Sequence, residues 1–88
     1  MLFSLGSLVA TPGAIDHLSE HDLSPLDLLK RHGNGDWGDL GSSDKKLNDL
    51  AITDGSRILS AYLVAGAKLY VITEWDRSYT TILLASEY

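Results

Sequence analysis

The apolar positions repeat with two different periods, and the change falls near residue 55. From Thr11 to Asp54 they recur every three or four residues, as one face of a helix requires. From Arg57 to Ala85 they alternate or run together, as strands do. Ahead of both stretches, Leu5 to Ala10 reads as a first strand, with Leu8 and Val9 apolar.

The helical half divides into three segments with recognisable starts. In "TPGAIDHLSEH", Thr11 is a good N-cap and Pro12 occupies the first helical position, where its missing N–H is harmless. Ala14, Ile15 and Leu18 form the expected buried stripe. "SPLDLLKRHG" repeats the signal: Ser24 caps, Pro25 follows, and Asp27 sits in the first turn where an anion suits the helix dipole. Lys30 and Arg31 suit the last turn, and Gly33 or Gly35 is expected to end the helix in a left-handed conformation. In "SSDKKLNDLAI", Ser42 or Ser43 is the expected cap, and Leu47, Leu50 and Ala51 are spaced to face the core. "TDGSR" then stops the helix.

Three strands follow, "RILSAYLV", "KLYVITE" and "YTTILLA", joined by the short connections "AGA" and "WDRS". Their Tyr, Thr, Ile and Val content and close spacing predict antiparallel hairpins. Ile58, Tyr62 and Val64 share one face of the first strand; Leu59, Ala61 and Leu63 share the other. Both are apolar, so helices are expected to cover one face and the N-terminal strand or a partner the other. The fold class expected is α+β: one domain over 1–88, with three helical segments followed by an antiparallel three- to four-stranded sheet.

Composition narrows the function classes. The 88 residues permit one thin core, because a domain of this size buries only ~60–65% of its unfolded surface. There is no cysteine, which removes disulfides, thiolate metal sites and a cysteine nucleophile and permits a reducing, cytoplasmic setting. The apolar start lacks the basic residues of a signal peptide, and no apolar run approaches the ~20 residues of a membrane span. The net charge of −5 arises wholly between Asp16 and Asp54, where nine acids face four bases. Such a surface repels phosphate backbones, so unspecific nucleic-acid binding is not expected; a basic protein partner is compatible with it.

Four stretches invite a chemical reading. "RHGNGDWGDLG", Arg31 to Gly41, resembles a catalytic loop in composition. A glycine-punctuated connection anchored by Trp37, with Asp36 or Asp39 accepting local backbone hydrogen bonds, explains it more simply. "HLSEH" places His17, Glu20 and His21 on one helix face in the H-x-x-E-H pattern of some zinc peptidases. A third ligand would have to come from His32 or Glu74, and no metal site is expected. "TEWDRSYTT" gathers polar groups on a hairpin beside the strand that Arg57 begins. In one reading Glu74, Trp75, Asp76 and Arg77 form a protein-binding loop. In the alternative, Arg57, Asp76, Arg77 and Tyr79 serve a small barnase-like nuclease, although no histidine lies here to act as general acid. Finally, no phosphate-binding glycine loop or nucleophile elbow is present, and no cofactor is expected.

Taken together, "VATPGA", "SPLDLLKRHGNGDWGDL", "RILSAY" and "VITEWDRSYTTILL" resemble a family of small bacterial proteins carried on plasmids, phages and other mobile elements. The likeness spans nearly the whole chain and covers Thr11, Pro12, the run Gly35 to Gly38, Arg57, Ser60, Tyr62, Thr73, Glu74, Asp76 to Ser78, Thr80 and Thr81. The family has no established activity, so the resemblance implies no catalytic residues. It implies an accessory protein of a mobile element, and a protein partner is the leading expectation for how it acts.

Overall fold

The computed structural model describes residues 1–88. The chain runs β1 (Ser7–Ala10), α1 (Pro12–Glu20), α2 (Pro25–Gly33), α3 (Ser42–Asp54), β2 (Ile58–Val64), β3 (Ala67–Thr73) and β4 (Tyr79–Leu84), then a short 3-10 turn at Ala85–Glu87. This is the α+β class, with the helices preceding the three-stranded meander. No helix is long and apolar enough to cross a membrane.

The local start signals work as expected in α1 and α2. Thr11 Oγ1 accepts the Ala14 N–H at 3.1 Å, and the Asp27 carboxylate reaches back to accept the Ser24 N–H at 2.8 Å. Gly35, not Gly33, takes the left-handed conformation, at φ 86°. In α3 the cap is Gly41 rather than Ser42 or Ser43, which are already helical.

The sheet has the order β1-β4-β3-β2. β2, β3 and β4 are antiparallel neighbours, and Ala65 and Gly66, both at positive φ, make the two-residue turn between β2 and β3. The N-terminal strand β1, expected from sequence as one candidate to cover the second face of this meander, covers no face. It extends the sheet by pairing parallel with β4, Leu8 opposite Thr80 and Ala10 opposite Ile82. Parallel pairing needs a long crossover, and the entire helical half supplies it.

The core lies between the helices and one sheet face. Ala14 and Leu18 of α1 and Leu28 and Leu29 of α2 pack on Tyr62, Leu69, Val71 and Ile82. A smaller cluster joins Trp37, Ala51 and Ile58. Three residues assigned to the core by spacing are exposed: Ile15, Leu47 and Leu50. In α3 the cause is Asn48. Its side-chain amide donates to the Leu59 carbonyl at 2.7 Å and accepts the Leu59 N–H at 3.2 Å, imitating a neighbouring strand on β2. Turning Asn48 and Ala51 toward β2 leaves Leu47 and Leu50 facing outward. Ile15 sits beside the β1 edge, where no further element covers it.

The glycine-rich connection pairs with the next position on the β2 edge, Ala61. Ala61 donates to the Trp37 carbonyl at 3.1 Å, and the Asp39 N–H returns to the Ala61 carbonyl at 2.6 Å. Between them Gly38 has φ 75°, and a Cβ there would collide with the Ala61 carbonyl oxygen and the Tyr62 ring. Only glycine allows so close an approach. Asp36, as expected, accepts a local backbone hydrogen bond, from Gly38.

Candidate functional site

The hairpin between β3 and β4 is a tight five-residue loop. Glu74 donates to the Tyr79 carbonyl, and the Arg77 N–H returns to Glu74 at 2.9 Å. Asp76 Oδ1 accepts the Ser78 N–H at 3.0 Å. Hydrogen bonds from the Ser78 side chain and backbone hold the Asp76 carboxyl below its ordinary pKa. Arg77 has φ 60°, an uncommon conformation for a side-chain-bearing residue.

The tertiary structure separates Trp75 from Arg77. Trp75 projects into solvent and is 68% exposed. Arg77 turns inward. Its guanidinium donates to the carbonyls of Ala51 at 2.8 Å, Ser56 at 2.7 Å and Glu74 at 3.1 Å, and lies over the Phe3 ring. The Ala51 carbonyl also accepts the Gly55 N–H that ends α3, so Arg77 adds a second bond at a helix C-terminus, where a cation suits the dipole. Arg77→Ala is expected to lower unfolding free energy by about 2 kcal/mol, since bonds from a charged donor are lost while the carbonyls can turn to water. A urea titration measures this; an unchanged midpoint would show that the clamp is idle.

The residues of the nuclease reading do not converge. Arg57 lies 6.0 Å from the Tyr88 ring centroid and lines a groove of about 560 Å³ on the sheet face away from α1 and α2, with Leu59, Lys68 and Tyr70. Asp76 closes its own turn, and the three carbonyls above occupy Arg77. Tyr79 is partly exposed at the start of β4.

His17, Glu20 and His21 do come together, with one ligand atom of each within 4.8 Å of the others. The His17 ring is committed to the fold: its Nε2–H donates to the Val64 carbonyl at 2.8 Å, tying α1 to the end of β2. His32, considered as a further ligand, is buried with both ring nitrogens engaged. Glu74 belongs to the hairpin. Protein purified without a histidine tag or added zinc is therefore expected to carry no stoichiometric zinc. Elemental analysis decides it, and zinc that disappears in His17→Ala would overturn the expectation.

The most distinctive polar arrangement escaped sequence reasoning. His32 is fully buried between Ser60 Oγ at 2.5 Å and Thr73 Oγ1 at 2.9 Å. Thr73 contacts the Thr80 hydroxyl at 2.7 Å, and Thr80 donates to the Leu5 carbonyl at 2.7 Å. The carbonyl end sets every direction. Thr80 spends its proton on Leu5, so Thr73 donates to Thr80, His32 Nε2–H donates to Thr73, and Ser60 donates to His32 Nδ1. A neutral imidazole fits this chain, and burial lowers the His32 pKa from 6.5 to about 4. A Ser–His pair can serve as nucleophile and base, but here both members have zero exposure and no groove reaches them. The signal available in sequence was polar residues at inward strand positions: Ser60 shares its face with Ile58 and Tyr62, and Thr73 faces Thr80 across the register.

Beside this chain, Tyr62 donates to the Asp36 carbonyl at 2.6 Å, and burial pushes its hydroxyl pKa up to about 12. Arg31 lies over the Tyr62 ring at 4.4 Å and pairs with Asp36 at 2.6 Å. These residues of "RHGNGDWGDLG" thus fasten the connection to the sheet. A second groove, of about 270 Å³, runs between β1 and the α1–α2 pair and is almost wholly apolar. No family model, curated protein or solved structure matches this chain.

Proposed function

We propose that the chain is a small acidic accessory protein of a mobile genetic element that acts by protein–protein contact, with the β3–β4 hairpin as its recognition element. The observation that carries the reading is an exposed Trp75 on a loop pinned by the three hydrogen bonds of Arg77. Aromatic anchors dominate binding energetics because they bury much area, and a loop ordered beforehand loses little entropy on binding. Arg77 is a positioning residue in this scheme, and Trp75 makes the contact, flanked by the carboxylates of Glu74 and Asp76. A partner offering an apolar pocket rimmed by basic groups fits that combination. The engagement of His32 inside the core supports contact over catalysis.

The test is recovery of partners from cells of the host that carries the gene, comparing wild type with Trp75→Ala. The variant must retain the wild-type melting temperature, which is expected because the ring packs against little. Partners held by wild type and lost by Trp75→Ala would support the reading. Equal recovery would leave the hairpin as a turn and end it.

A further inference from the structure

We propose that His17, Glu20 and His21, at the C-terminal end of α1, form an exchangeable site for a divalent transition-metal ion of the zinc class, with His17 binding through Nδ1. One ligand atom of each residue lies within 4.8 Å of the others, and the two imidazole rings meet edge-on with centroids 4.8 Å apart. The bond that ties His17 to the fold decides which of its atoms is free. Its Nε2–H donates to the Val64 carbonyl, so the neutral ring keeps its lone pair at Nδ1. Metal-binding histidines commonly give their other N–H to a carbonyl or carboxylate, which fixes the ring and makes it a more basic ligand. Val64 supplies that support here. The contact between α1 and the end of β2 therefore orients His17 as a ligand without using up its second nitrogen.

Glu20 and His21 have no competing partner, since neither side chain enters a hydrogen bond or an ion pair. Both are exposed. A zinc ion ~2.0–2.1 Å from each nitrogen requires donors about 3.4 Å apart, and two exposed side chains reach that spacing by rotating. Ordering them costs side-chain entropy, which keeps the site weak.

Charge and donor type select the ligand. "DHLSEHD", Asp16 to Asp22, holds three carboxylates and no lysine or arginine, and the carbonyl end of a helix attracts positive charge. Two imidazoles with one carboxylate suit zinc, nickel or copper. Magnesium and calcium take oxygen ligands instead. Three protein ligands leave the remaining positions to water, so the ion exchanges freely and is lost on purification. That agrees with the zinc-free protein expected when no metal is added. The site lies on α1, and its test does not involve the β3–β4 hairpin.

Zinc chloride, titrated into untagged, metal-free protein and followed by calorimetry, is the probe. One ion per chain is expected, with no binding of magnesium chloride under the same conditions. In protein carrying isotope-labelled histidine, zinc is expected to shift the His17 Nδ1 resonance while Nε2 keeps its proton. The chain has three histidines, and the third, His32, is buried and offers no alternative ligand. His21→Ala and Glu20→Gln are expected to keep the metal-free melting temperature, because neither side chain supports the fold. Each should bind zinc at least ~10-fold more weakly, the lower end of what losing even an outer-shell partner costs a metal site. No saturable zinc binding by wild type, an unchanged affinity in either variant, magnesium binding equal to that of zinc, or zinc on His17 Nε2 would each overturn the proposal.

Discussion

His32→Ala is expected to lower the unfolding free energy by about 4 kcal/mol, a large share of the 5–15 kcal/mol typical of a domain. Two effects combine. Removing the ring leaves a cavity among Phe3, Trp37 and the inner sheet face, and emptying a buried aromatic site costs ~3–5 kcal/mol. It also strips Ser60 of its acceptor and Thr73 of its donor in a place water does not reach, and an unmet buried polar group costs about 1–3 kcal/mol. Partial collapse of the site offsets some of the sum. Denaturant titration measures the loss; a variant within 1 kcal/mol of wild type, roughly the worth of one ordinary hydrogen bond, would show that the polar chain contributes little.

The same residue gives the fold a pH dependence with a definite sign. His32 has a pKa of about 4 when folded and 6.5 when free. Above pH 6.5 it is neutral in both states and the stability is complete. As pH falls from 6.5 toward 4, the unfolded chain takes up a proton that the folded chain refuses, and stability declines by up to about 3 kcal/mol. Wild type is therefore expected to lose stability between pH 6.5 and 5, before most carboxylates titrate. His32→Gln, lacking the titrating ring, should lose much less over that interval. Parallel curves for the two proteins would refute the assignment.

Trp37→Ala is expected to cost about 3 kcal/mol or more. Trp37 is 4% exposed, stacks on Phe3 at 6.1 Å, meets His32 edge-on at 5.9 Å, and donates its indole N–H to Asp49 at 3.0 Å. Its ring fills the junction of α3, β2 and the N-terminal segment, which the thin core cannot refill. Trp37→Phe keeps most of that packing and loses mainly the hydrogen bond, at about 1 kcal/mol. Urea midpoints at unchanged slope separate the two variants. A neutral Trp37→Ala would mean that the connection is held by its backbone contacts to Ala61 alone.

Much of the architecture was legible because it is encoded locally. Thr11–Pro12 and Ser24–Pro25 mark helix starts through groups within one turn of each other. The change of period after Asp54 separates helices from strands, and the meander follows from short connections. The anchoring of Trp37 was legible for a related reason: an indole among glycines has a flexible backbone to bring it inward and a thin core to receive it. Spacing failed where two faces of an element were nearly equal in hydrophobicity. In α3, Leu47 and Leu50 outweigh Asn48 on any apolar count, yet the unpaired backbone of Leu59 claims the Asn48 amide and rotates the helix accordingly.

At the candidate site the division is sharper. Sequence alone placed Glu74, Trp75, Asp76 and Arg77 together on a hairpin, and the register keeps them there. Whether each side chain turns outward or inward depended on partners far away in the chain. Arg77 faces inward because the carbonyls of Ala51, in the last turn of α3, and Ser56, just past its end, accept its guanidinium, and Trp75 faces outward because nothing packs over it. The buried chain from Ser60 through His32, Thr73 and Thr80 to Leu5 draws one residue from each of five segments, so no window of sequence contains it. The parallel pairing of β1 with β4 is decided in the same way. Caps, turns and periods act through neighbours and are written in the sequence, whereas a buried hydrogen bond or a shared sheet edge exists only once distant segments have met.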